Sequence, residues 1–112
     1  MRLPNAHLAV VEERKVAEYL LNQAHPDNGG KAAFFLTLGF SRQSATNLSI
    51  ALVRLAGEGN VVHQADSPHG QKYVVEGVLD SPAGKNAVVR TVWIVDHGQD
   101  APRLVTAYPG ER

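Results

Sequence analysis

Arg90 is the residue most out of keeping with its neighbours. It interrupts Ala87-Val88-Val89-Arg90-Thr91-Val92-Trp93-Ile94-Val95, a run of β-branched and aromatic side chains. Such a run predicts a central strand buried on both faces. An unpaired guanidinium in that setting is costly, so something must bind it. Strand alternation puts Arg90, Val92 and Ile94 on one face and Val89, Thr91 and Trp93 on the other. In the last apolar run, Leu104, Thr106 and Tyr108 alternate with Arg103, Val105 and Ala107. A register that sets Arg90 beside Thr106 or Tyr108 makes a cradle of cation and hydroxyl for a phosphate, whose oxygens a guanidinium fork binds in pairs. A register that sets it beside Glu76 makes an ion pair instead.

His25 and Lys31 bracket Pro26-Asp27-Asn28-Gly29-Gly30. Imidazole titrates near neutral pH and serves as general acid or base; before a proline it is equally a plain turn residue. Lys31 opens a helix, where the helix dipole opposes a cation. It is therefore either an anion ligand or a solvated helix-start residue. His63, His69 and His97 read as surface residues, and His7 gives no signal.

Several chemistries are excluded. The chain has no cysteine, hence no disulfide and no thiolate metal site. No two histidines stand at ligand spacing on one helix, and no metal cluster is legible. Gly29-Gly30-Lys31 lacks the spacing and the preceding strand of a phosphate loop, and neither a Gly-x-Ser-x-Gly elbow nor a dinucleotide fingerprint occurs. Acid–base chemistry with no cofactor and no metal is left, or plain binding. The formal net charge of zero weakens a DNA-coating reading, since counterion release needs a basic excess. A grip on one or two phosphates by a few placed cations stays open.

The elements that must position these residues follow from period and punctuation. Leu8-Ala9-Val10-Val11 predicts a lead-in strand. Val16, Tyr19 and Leu20 at helical spacing, behind Glu12 and Glu13, predict a helix over 12–22. A short helix begins at Lys31 and closes at Gly39. Ser41 predicts the N-cap of a third helix over 41–57, with Ala45, Leu48, Leu52 and Leu55 on one face. The period then switches to two. Strands are expected over 61–66, 71–80, 86–96 and 103–108, joined by short turns in an antiparallel meander. Helices first and strands after them is an α+β layout: N-terminal helices packed on one face of a four-stranded antiparallel sheet. The 112 residues, 44% of them apolar, suit a single domain over 1–112 with one core. No apolar run is long enough to cross a membrane and no signal peptide opens the chain, so the expectation is a cytoplasmic protein with no membrane partner.

Taken together, His25-Pro26, Gly30-Lys31-Ala32 with Phe34-Phe35 and Leu38-Gly39-Phe40, Gly70-Gln71-Lys72-Tyr73-Val74-Val75, Val89 to Val95, and Pro102 to Pro109 resemble a bacterial domain-of-unknown-function family. Its members occur as small stand-alone proteins and as C-terminal tips of polymorphic toxins, and the likeness runs from Leu3 to Pro109. The order of helices and strands is similar to the barnase, EndoU, colicin-type and RelE ribonucleases. That resemblance implies a metal-independent endoribonuclease toxin, of a toxin–antitoxin or polymorphic-toxin system, that cleaves RNA by 2′-hydroxyl attack on the adjacent phosphate. Carried onto this chain, it implies His25 as general acid or base, Lys31 and Arg90 as phosphate ligands, and Thr106 or Tyr108 as a hydrogen-bond donor. It also implies an RNA substrate and a small neutralising antitoxin or immunity protein. The alternative is a non-catalytic protein-binding module of the same family, with Trp93, Tyr73 and Tyr108 as contact surface.

Overall fold

The chain forms helices first and an antiparallel sheet after them, as the change of period requires. The structure, a computed structural model, describes residues 1–25 and 30–110. A 3-10 turn, Ala6–Leu8, precedes helix α1, which opens as Glu13–Lys15 and continues in π geometry over Val16–Leu20. Helix α2 is Lys31–Thr37, and a 3-10 turn Arg42–Ser44 leads into α3, Ala45–Glu58. Strands β1 (Asn60–Ser67), β2 (Gly70–Leu79), β3 (Ala87–Asp96) and β4 (Arg103–Pro109) form one sheet in the order β1-β2-β3-β4.

The first expected helix is shorter than 12–22, because the π turn closes on Leu21, whose N–H donates to the carbonyl of Val16 at 2.9 Å. Gly39 ends α2 with φ of 95°, the left-handed geometry glycine adopts without penalty. Ser41 caps the 3-10 turn rather than α3 itself: its hydroxyl accepts from the Ser44 amide at 3.3 Å. The lead-in strand shrinks to a single parallel bridge between Val10 and Arg103. Leu8 is taken up by the 3-10 turn, and the short run finds only the end of an edge strand to pair with.

All three strand pairs are antiparallel. Val75 pairs with Thr91, Gly77 with Val89, and Thr91 with Ala107, and this face meets the helices. Leu48, Leu52 and Leu55 of α3, Val16 and Leu20 of α1, and Phe35 of α2 close over it, all at most 2% exposed. Each large apolar side chain so buried contributes about 1.5–3 kcal/mol. Trp93 and Thr91 are wholly buried within this layer. The indole N–H donates to the Thr91 hydroxyl at 2.7 Å, and that hydroxyl donates to the Val75 carbonyl at 3.0 Å. The two polar side chains of the central strand's inner face thereby satisfy each other.

The helices cover only this side, so β3 is not buried equally on both faces. Val89, Thr91 and Trp93 are fully buried, whereas Arg90 and Val92 are half-buried. Ile94, near the end of the outer face, is buried as well. Among the described residues no helix is long and apolar enough to cross a membrane.

Candidate functional site

Register decides what Arg90 meets. On the face that the helices leave open, Arg90 lies opposite Glu76 of β2 on one side and Tyr108 of β4 on the other. Directly opposed residues bring their Cβ atoms within about 4.5–5.5 Å. Asn60, Glu76, Arg90 and Tyr108 therefore form one row across all four strands. The Arg90 Nε donates to Glu76 Oε2 at 2.7 Å, and the two side chains are 30% and 26% exposed. Both sequence readings of Arg90 thus meet in one place: it has the carboxylate partner, and it stands beside Tyr108. The pair is accessible from solvent, so it does not take the form of a sealed interior ion pair.

The next row runs through His63, Val74, Val92 and Thr106. A β-bulge between Val92 and Trp93 shifts the β4 register and carries Thr106 to the Arg90 side. The Thr106 hydroxyl is buried and has no hydrogen-bond partner among the described residues. A buried hydroxyl in that state costs about 1–3 kcal/mol, and such groups are rare enough to ask for a reason. Glu76, which the sequence offered only as a partner for Arg90, is a member of the row in its own right. Its signal was the alternation of Gln71–Asp80 once the register was known.

His25 and Lys31 are brought together elsewhere, around Tyr19 in the helical layer. The Lys31 Nζ donates to the Tyr19 hydroxyl at 2.7 Å and lies 5.1 Å from the centre of that ring. The Tyr19 and His25 rings meet edge to face, with centroids 4.9 Å apart. Of the five expected site residues, then, Arg90, Thr106 and Tyr108 share one face of the sheet, and His25 and Lys31 share the helical layer. Edge strand β4 divides the groups: Val105 borders the cleft that His25 lines, and its chain neighbour Thr106 faces the Arg90 side. Residues 26–29, between them in the sequence, lie outside the described residues.

The contact surface expected of a binding module needs correction at Trp93. Its ring is fully buried against the helices, and Tyr73 beside it is packed against the core, because both stand on the covered face. Tyr108 alone of the three lies on the open face. Among the described residues no group of three or more His, Cys, Asp or Glu side chains is arranged to hold a metal ion.

Comparison with known proteins bears on both fold and kinship. The family described as Domain of unknown function (DUF6883) matches residues 2–111. A chain of a contact-dependent growth inhibition toxin–immunity protein complex from Klebsiella pneumoniae 342 superposes with a TM-score of 0.75, covering 90% of this chain and 99% of that one at 20% sequence identity. Likeness at that identity concerns the fold. No curated protein matches.

Proposed function

This chain belongs to the DUF6883 family, and we propose that it is a toxin domain that cleaves RNA without a metal, working on the open face of its sheet. The observation that carries this reading is the Thr106 hydroxyl, buried and without a partner among the described residues, one row from the accessible Arg90–Glu76 pair and Tyr108. The hydroxyl has no exposed surface, so a phosphate held at Arg90 would supply its acceptor once edge strand β4 shifts to open the site. A fold shared over 90% of the chain with a member of a toxin–immunity complex supports the biological setting.

The row suits in-line phosphoryl transfer. Arg90 holds the non-bridging oxygens of the phosphate and stabilises the charge that builds on them. Glu76 and Tyr108 flank it on β2 and β4, roughly 9–10 Å apart at two strand spacings, on opposite sides of the phosphorus. The Glu76 carboxylate takes the proton of the ribose 2′-hydroxyl as its oxygen attacks. The bond from phosphorus to the 5′-oxygen breaks, and the Tyr108 phenol gives its proton to that leaving oxygen. The products are a 2′,3′-cyclic phosphate and a 5′-hydroxyl, with no net change in protons once Tyr108 is reprotonated from Glu76 through solvent.

A toxin of this kind needs a neutralising partner in the cell that makes it. We assign that role to a small acidic protein that covers the Arg90 row. Expression of the wild type in a bacterial host should arrest growth and degrade RNA, and Arg90→Ala should relieve both. The reaction does not use His25, so His25→Ala should cost far less than Arg90→Ala. Growth arrest of equal strength by wild type and Arg90→Ala would refute the assignment.

A further inference from the structure

A cleft of about 740 Å³ lies in the helical layer, away from the Arg90 row. It is the size of a small-molecule site. Lys15, Tyr19, Asn22, His25 and Arg42 line it, with Val105 of β4 at its border. The π geometry of Val16–Leu20 widens the helix where Tyr19 turns into this space.

Arg54, Arg90 and Arg103 each meet a carboxylate of the sheet: Asp80, Glu76 and Asp96. In and behind the cleft, three cations meet only neutral oxygens among the described residues. The Lys15 Nζ donates to the Val105 carbonyl at 3.1 Å, the Arg42 Nε to the Ala17 carbonyl at 3.0 Å, and the Lys31 Nζ to the Tyr19 hydroxyl. Two carboxylates border the cleft, Glu12 and Glu18, and Glu18 pairs with Arg14 at 2.8 Å. A guanidinium anchored through Nε still presents its terminal nitrogens, and an ammonium with one neutral acceptor still has two donors to give. Two such cations lining one concavity, with a third behind Tyr19, suit a group of several anionic oxygens.

We propose that this cleft binds a phosphate group, from an RNA strand or from a free nucleotide, through Lys15 and Arg42, with Lys31 behind Tyr19 adding to the field. Binding here does not require that the sheet face cleave anything. Where both hold, the cleft grips the strand across β4 from the reacting phosphate.

Site-resolved NMR tests this. Titrating the ¹⁵N-labelled protein with inorganic pyrophosphate should move the amides of Asn22, His25 and Arg42 saturably. Lys15→Gln/Arg42→Gln should weaken that binding at least about tenfold, a loss in keeping with two charged hydrogen bonds, and Arg42→Lys, which keeps the charge, should weaken it less. A 2′-O-methyl RNA hexamer, which cannot be cleaved, and a nucleoside 5′-monophosphate then separate the sources. Tighter binding of the hexamer identifies a strand, equal binding a free nucleotide, and either supports the cleft. Arg90→Ala should abolish cleavage and retain the pyrophosphate shifts at these amides, so failure of one site reads separately from failure of the other. Absence of shifts at these amides in the folded wild type, or affinity unchanged in a folded double variant, would overturn the proposal. Should the double variant not fold, the wild-type shifts and Arg42→Lys decide.

Discussion

A buried threonine hydroxyl without a partner among the described residues is a standing cost, and on the proposed reading position 106 separates stability from activity. Valine has the same shape and no hydroxyl. Thr106→Val should therefore leave thermal stability unchanged or raise it by up to about 1 kcal/mol, while RNA cleavage falls roughly tenfold. A merely structural Thr106 would give the opposite pair of results, with a lower melting temperature and full activity. Of the residue-level readings, Arg90 as a cation needing a partner was legible from its apolar neighbours alone. Its dual company, Glu76 on one side and Tyr108 on the other, was not. Choosing between those neighbours takes the register, and register depends on turn geometry and on a bulge that no residue type announces. The separation of His25 and Lys31 from Arg90 was hidden for a similar reason: sequence order does not say on which side of a sheet a distant side chain lies.

The elements themselves were largely readable. Helical spacing before Gly57 and a period of two after it gave the four strands close to their observed limits, and the α3 leucines fell on the buried face. What failed was the inference that β3 is buried equally on both sides. A continuous apolar run suggests that, yet here the helices cover one face and the other is left half-open. Within the covered face, Thr91 carries the Trp93 indole, and neither can reach water. Thr91→Val should cost about 1–3 kcal/mol by stranding the indole N–H, which for a domain of this size lowers the melting temperature by about 5–20 °C. Thr91→Ser, which keeps the hydroxyl, should cost less.

At the far end of β3, Arg103 donates to Asp96 through Nε at 2.8 Å and a terminal nitrogen at 3.2 Å. This hydrogen bond holds the Asp96 carboxyl below its ordinary range, against the smaller opposing effect of burial. A carboxyl lowered on folding contributes stability that is fully present above its unfolded value of about 3.9, and that stability is lost as pH falls through the lower folded value. Asp96→Asn should therefore melt earlier than wild type near neutral pH, and the gap should close as pH drops below about 4. A gap independent of pH would show that the pair does not act through its charge.

For the molecule as a whole, zero net charge and local cations belong together. A chain with eleven basic and eleven acidic residues does not coat nucleic acid by its overall field. The proposed contacts are local ones, through Arg90 on the open face and through Lys15 and Arg42 in the helical cleft. The fold is shared with a chain of a growth-inhibition toxin–immunity complex, and the proposed chemistry sits on the face its helices leave uncovered. The most direct measurement incubates the purified wild type and Arg90→Ala with RNA in excess EDTA and analyses the fragment ends. The account predicts fragments with 2′,3′-cyclic phosphate and 5′-hydroxyl ends from the wild type, and a rate at least about 100-fold lower from Arg90→Ala, the scale expected on removing a group that stabilises the transition state. RNA left intact by the wild type, or cut at the same rate by both proteins, would contradict it.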